Sequence, residues 1–153
     1  MNAKTNLSYP DFQDHLAELE SRGLLRQVDR PINKDTELHP LVRWQFQGGL
    51  PESERSAFLF TNVTDGEGRK YDMPVAVGAL ATTPEIYAIG MGVSVEDIGS
   101  RWLHAIANPI TPVVIEQPPC QEIIVQGGAL KSGNGLESLP VPVSTPGYDS
   151  APY

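Results

Sequence analysis

The last fifteen residues, LPVPVSTPGYDSAPY from Leu139 to Tyr153, carry four prolines and follow neither a period of two nor one of 3.6. Proline fixes φ and offers no backbone N–H, so such a run cannot lie inside a helix or a central strand. It reads as an extended connector, and it confines regular structure to the residues before it. With 153 residues in all, the chain has room for one domain with its own core plus the opening of another.

Composition narrows the setting. Apolar residues make up 40% and charged residues 20%, which suits a folded chain rather than a disordered one. A formal charge of -8 opposes approach to phosphate backbones and anionic lipid, so neither nucleic acid nor membrane is an expected partner. The longest apolar stretch, MPVAVGALA from Met73 to Ala81, is about half the length a bilayer-spanning helix needs. The opening MNAKTNLSYPDFQD has no apolar signal core, and a cytoplasmic location is expected.

Periodicity predicts a helix from Tyr9 to Gly23, with Phe12, Leu16 and Leu19 on one face, Pro10 in the first turn and Gly23 as terminator. A strand at Leu24 to Val28 should follow through that single glycine. A second helix is expected over Glu37 to Gln47, with Leu38, Leu41, Val42 and Phe46 as its apolar stripe and Pro40 in the first turn. Ala57 to Val63 and Pro74 to Ala79 read as strands, with DGEGRK between them as a turn. Thr83-Pro84-Glu85 and Ser94-Val95-Glu96-Asp97 each announce a helix start. In the second of these helices Val95, Ile98, Trp102 and Ile106 should form a buried face. Beyond Asn108-Pro109 the texture changes, and Pro112 to Ile115 and Gln121 to Gln126 are candidate strands. The fold class expected is α/β (α+β), a small mixed sheet flanked by helices.

Residues that could carry chemistry are few. GGALKSGNG invites comparison with a phosphate-binding loop, but Lys131 follows Leu130 instead of glycine and no helix pattern comes after it. It is expected to be a surface loop. His15, His39 and His104 each lack a second histidine at helical spacing, so a metal site is not expected. Cys120 stands alone and is expected to be buried and inert. Asp11, Asp14, Glu18, Glu20, Glu96 and Asp97 fall in first turns or on solvated faces, where carboxylates stabilise helices. Trp44 and Trp102 are expected to pack. No catalytic, cofactor-binding or metal-binding residue is therefore assigned.

Several segments together resemble the UbiD family of non-oxidative decarboxylases, in the family's own order. These are Phe12 to Leu16 with Gly23 to Val28, Ala57 to Val63, Met73-Pro74-Val75, Pro119-Cys120-Gln121-Glu122, and Leu139-Pro140-Val141-Pro142 with Pro146-Gly147 and Ala151-Pro152-Tyr153. The last of these departs from the common form, reading PGYDSAPY without a glycine before the final proline and with one additional residue after Pro146-Gly147. The resemblance implies a reversible decarboxylase of aromatic or α,β-unsaturated carboxylic acids that uses prenylated FMN, with a divalent metal and potassium at its phosphate. It places the catalytic arginine and two glutamates, and the flavin contacts, in a split β-barrel domain with no counterpart here.

On that basis residues 1–118 are expected to be the N-terminal α/β domain, and 119–153 the first strand and extended arm of the barrel domain. The chain by itself is expected to be inactive, and its partners are the remainder of the decarboxylase chain or a catalytic subunit, in a parent that is a homo-oligomer. Two alternatives stay open. One is a free-standing non-catalytic subunit or adaptor that docks on a partner carrying the barrel; the other is an unrelated small binding module using GGALKSGNG and the arm.

Overall fold

The computed structural model describes residues 11–131, 133 and 135–144. Its elements are α1 (Phe12–Ser21), β1 (Leu25–Val28), β2 (Ile32–Asn33), α2 (Leu38–Gln47), β3 (Ala57–Phe60), β4 (Val63–Thr64), β5 (Lys70–Tyr71), β6 (Val75–Val77), α3 (Pro84–Met91) and α4 (Ile98–Ala107). Short 3₁₀ turns occupy Glu52–Glu54, Pro119–Gln121, Gly127–Lys131 and Leu136–Ser138. The expected mixed α/β class is what forms, as two small sheets flanked by helices.

Local chemistry sets the boundaries. The Asp11 carboxylate accepts from the amides of Gln13 and Asp14 at 2.8 and 2.9 Å, and the Asp14 carboxylate accepts from the Asp11 amide at 3.3 Å. This reciprocal cap starts α1 at Phe12, one turn later than the sequence suggested; Pro10 lies outside the described residues. The helix ends in a paired 6→1 and 5→2 arrangement, Leu24 N–H to Leu19 O at 2.8 Å and Gly23 N–H to Glu20 O at 2.9 Å. Gly23 sits at φ 71, where a side chain would strain the backbone. The Thr83 hydroxyl accepts from the Ile86 amide at 3.2 Å and Pro84 takes the first helical position, as its sequence predicted. Before α4, Ser94 donates to the Asp97 carboxylate at 2.8 Å and its carbonyl accepts from the Asp97 amide at 3.1 Å. A tight turn thus occupies the residues expected to be the first helical turn, and the helix begins at Ile98.

The strand expected over Ala57 to Val63 is divided at Thr61-Asn62 and feeds two sheets. β3 lies at the centre of β1-β3-β6, and β4 at the centre of β2-β4-β5. In each sheet one neighbour is parallel and the other antiparallel. The partner offset is 57 − 25 = 32 residues between β1 and β3 and 63 − 32 = 31 between β2 and β4. Three residues, Asp29 to Pro31, therefore face two, Thr61 and Asn62, and one surplus residue in the first ribbon bends the pair in the manner of a bulge. The bend is pinned by side chains: Thr61 donates its hydroxyl to the Asp29 carboxylate at 2.7 Å, and Asn62 donates to Asp29 O at 3.3 Å. It also lets Phe60 and Val63, three apart, point into one core, which an unbroken strand with its period of two forbids.

Two apolar clusters result. α1 and α3 contribute Leu16, Leu19 and Ile86 against Ala57 and Ala79. α2 contributes Leu38 and Val42 against Ile32, Phe60 and Val63. The stripe predicted for α2 is corrected at one place: Phe46 is exposed and Gln45 is buried instead. Gln45 earns that position through two hydrogen bonds to the Ser56 backbone, donating to its carbonyl at 3.1 Å and accepting from its amide at 3.0 Å. The chain turns into α3 through Gly78, at φ 76, where a Cβ would collide with the Thr82 hydroxyl that donates to Gly78 O at 2.7 Å.

The two candidate strands after Asn108 do not form. Pro112 to Ile115 is irregular and Gln121 to Gln126 is a 3₁₀ turn followed by irregular chain. Among the described residues no strand lies beside either to supply ladder partners, and an unpaired strand has no hydrogen bonds to hold it. No described helix is long and apolar enough to cross a membrane.

Candidate functional site

The residues singled out in the sequence are scattered over the fold. His15 is buried on α1, its Nε2 2.6 Å from Ala79 O, where it ties the helix to the segment after β6. His39 is half-buried on α2, and His104 is exposed on α4 with its Nδ1 3.4 Å from the Asn108 side-chain Nδ2. Asp11 and Asp14 form the α1 cap, Glu18 pairs with Arg22 at 2.6 Å, and Asp97 receives Ser94. Glu20 and Glu96 are exposed. Cys120 is exposed, contrary to expectation, in a segment whose described neighbours are exposed apart from the half-buried Pro118. Among the described residues no group of three or more His, Cys, Asp or Glu could hold a metal ion.

One polar cluster escaped the sequence reading. Lys34, directly after β2, is fully buried. Its ammonium donates to the Asp35 carboxylate at 2.6 Å and stands 5.7 Å from the centre of the Tyr71 ring. The other Asp35 oxygen accepts from the Gly66 amide at 3.0 Å. Asp65 completes the group, accepting from the amides of Glu67 and Arg69 at 3.0 and 2.9 Å and from the Tyr71 hydroxyl at 3.1 Å. Burial drives a charged lysine to seek a carboxylate, and the β4–β5 turn supplies a second one close by. A lysine between an asparagine and an aspartate in INKDT looks solvated in sequence, and no local signal marks it as buried.

The cluster is a clamp between β2 and the β4–β5 hairpin, and its electrostatics make a prediction. Desolvation pushes the Asp65 carboxyl up, but the Arg69 amide, the Tyr71 hydroxyl, the Glu67 amide and the nearby Lys34 charge outweigh it and hold it below the usual carboxylate range. A group depressed in the folded state lends stability above its unfolded value and loses it as pH falls through the folded one. Replacing Asp65→Asn should therefore lower the thermal midpoint at neutral pH and flatten its decline on the acid side. Thermal melts from pH 7 down to pH 3 read this directly; parallel curves for the two proteins would refute it. Tyr71 moves the other way, raised by burial first and then by its bond to Asp65.

The feature with the largest exposed consequence is α4. Its sequence is amphipathic, yet none of its residues is buried. Trp102, Leu103 and Ile106 are 49%, 72% and 71% exposed, so the buried face expected from Val95, Ile98, Trp102 and Ile106 is corrected: Ile98 is half-buried and the other three face outward. The helix touches α3 through Trp102, whose indole N–H donates to the Tyr87 hydroxyl at 2.6 Å. Beside that contact runs an open groove of about 700 Å³ lined by Gly90, Met91, Arg101, Trp102, His104 and Ile110. Val113, Val114, Ile123 and Ile124 are also exposed. Trp44 is exposed as well, at 60%. Helix amphipathicity was legible in the sequence, but the identity of the covering surface was not. An amphipathic helix whose apolar side chains stay exposed marks a binding face.

Two basic features of the chain do not supply a seat for the phosphate of the prenylated FMN implied by the resemblance. Lys34 is committed to Asp35, and the Gly127–Lys131 turn is exposed and only five residues long. Residues 16–106, more than half of the chain, match the family described as the 3-octaprenyl-4-hydroxybenzoate carboxy-lyase N-terminal domain, UbiD_N. Similar solved structures include two of one UbiD-class enzyme. One is an evolved dimeric form of the UbiD-class enzyme HmfF from Pelotomaculum thermopropionicum in complex with prFMN, at 27% identity and a TM-score of 0.52 over 65% of this chain. The other is HmfF from the same organism in complex with FMN, at 30% identity and a TM-score of 0.50, also over 65% of this chain. The chain covers 20% and 19% of those two proteins, about a fifth of each. With the family match running from α1 to the last turn of α4, through both sheets and both apolar clusters, this chain belongs to the UbiD carboxy-lyase N-terminal domain family.

Proposed function

We propose that the chain is the N-terminal scaffold portion of a UbiD-like reversible non-oxidative decarboxylase that acts on aromatic or α,β-unsaturated carboxylic acids with prenylated FMN. Residues 1–118 are the scaffold domain, and 119–153 lead into the cofactor domain. The cofactor, its metal and potassium belong to that second part, and the scaffold contributes a surface on which it seats. The observation that carries this reading is α4: a helix with an apolar face and no buried residue, inside the stretch that matches the family. Burying Trp102, Leu103 and Ile106 against the catalytic part removes that apolar area from water.

Turnover is the direct test. Supplied with prenylated FMN and a panel of cinnamic and hydroxybenzoic acids, the 153-residue chain should release no carbon dioxide above background, and measurable turnover would overturn the reading. Docking is tested separately in a full-length relative carrying the same helix. There, Leu103→Asp with Ile106→Asp should leave the scaffold folded while lowering activity and flavin retention at least tenfold, since two carboxylates would be forced into an apolar contact. Unchanged activity would remove α4 as the seat. Restoration of activity by this chain added to a separate barrel protein would support the adaptor form of the same proposal.

A further inference from the structure

After Asn108 the chain leaves the packed body. Every described residue from 108 to 135 is exposed except the half-buried Pro118 and Gly135. It then returns: Pro140 is buried and Val141 to Ser144 are half-buried. Two points of the scaffold meet it. Arg69, on the β4–β5 turn with its guanidinium 5.1 Å from the centre of the Tyr71 ring, donates to Glu137 O at 3.1 Å. Further along, Ser144 forms one wall of a groove of about 360 Å³ whose other walls are His39, Val42, Arg43 and Phe46 of α2, Val77 of β6 and Gly78.

We propose that Leu139–Ser144 is a strap received by this domain itself, with the α2–β6 groove as its seat and Arg69 as its catch. The chemistry of the segment suits that seat. Pro140 and Pro142 hold an extended path and remove two amide donors that would otherwise need partners on burial. Val141 and Val143 supply apolar area, and the planar guanidinium of Arg69, stacked on Tyr71, is held in place to bond one carbonyl at the point of entry. The described residues between 108 and 135 are then an exposed excursion that the strap returns to the scaffold. This inference does not depend on the proposed function; it holds for an adaptor as for a decarboxylase.

Hydrogen exchange on the intact chain, read by mass spectrometry, tests it. Amides of Ser138, Leu139, Val141, Val143 and Ser144 should exchange about tenfold more slowly than those of residues 110–115. Arg69→Ala and, separately, Pro140→Gly should bring the two segments to about the same rate while β1 and β3 amides keep theirs. Equal rates in the unaltered chain would overturn the proposal, as would slow exchange that persists in either variant. Should Arg69→Ala also speed exchange in β1 and β3, the Pro140→Gly result decides alone, because Pro140 lies outside both apolar clusters.

Discussion

Replacing Phe60 by alanine should cost about 3–5 kcal/mol of folding stability, the range for emptying a large aromatic from a packed core. Phe60 is fully buried, stacks on Phe58 with ring centres 5.8 Å apart and planes 8° from parallel, and closes the cluster of Ile32, Leu38, Val42 and Val63. It sits at the end of β3, where the chain passes from one sheet to the other, so the cavity would open where α2 and both sheets meet. Small domains hold only about 5–15 kcal/mol in total, and the variant should be partly unfolded at 37 °C. Urea unfolding with unaltered slope measures the loss. Phe46→Ala, at a position 44% exposed on the neighbouring helix, should cost under about 1 kcal/mol. Similar losses at the two positions would mean that the core does not lie where the structure places it.

The second large effect is expected at Asp35. Removing one partner of a buried ion pair strands the other, and Asp35→Ala leaves the Lys34 ammonium, with no exposed side-chain surface, without its 2.6 Å partner. A loss of about 3 kcal/mol follows, at the low end for such pairs because the Asp35 side chain retains 22% of its exposure. The reverse change should be mild. Lys34→Met keeps the volume and the packing on Tyr71 while leaving Asp35 its bond from the Gly66 amide, so it should cost under about 1 kcal/mol. Combining the two should recover about 2 kcal/mol relative to Asp35→Ala alone, the signature of a coupled pair. Additive losses would show that the carboxylate acts through its amide bond and not through the lysine.

What could be read from the sequence was the part governed by local chemistry. Gly23, Thr83-Pro84 and the Asp65-Gly66 turn act within four or five residues of themselves, and each marked an element where the structure has one. The apolar spacing of Leu16 and Leu19, or of Leu38 and Val42, likewise depends on a single helix. Readings failed where the outcome depends on a distant partner. Lys34 is buried because β2 lies beside β4 and β4 turns back at Asp65, 31 residues on. Phe46 faces outward because Gln45 finds Ser56. Val95, Trp102 and Ile106 follow a helical apolar spacing yet are exposed, because pattern alone does not say whether the covering surface belongs to the same compact body. The strands expected near Val113 and Ile124 fail for the same reason, since a strand is a property of two segments.

The bend at Asp29 to Pro31 and Thr61-Asn62 has a kinetic consequence. Both parallel ladders are closed by the same excursion of chain, 32 residues long at one sheet and 31 at the other, so whichever forms first delivers the second nearly free of further loop-closure entropy. The two parallel ladders should then form in one concerted event, limited by the search that first brings the ribbons together, while the antiparallel β4–β5 hairpin, with partners six to eight residues apart, can form ahead of it.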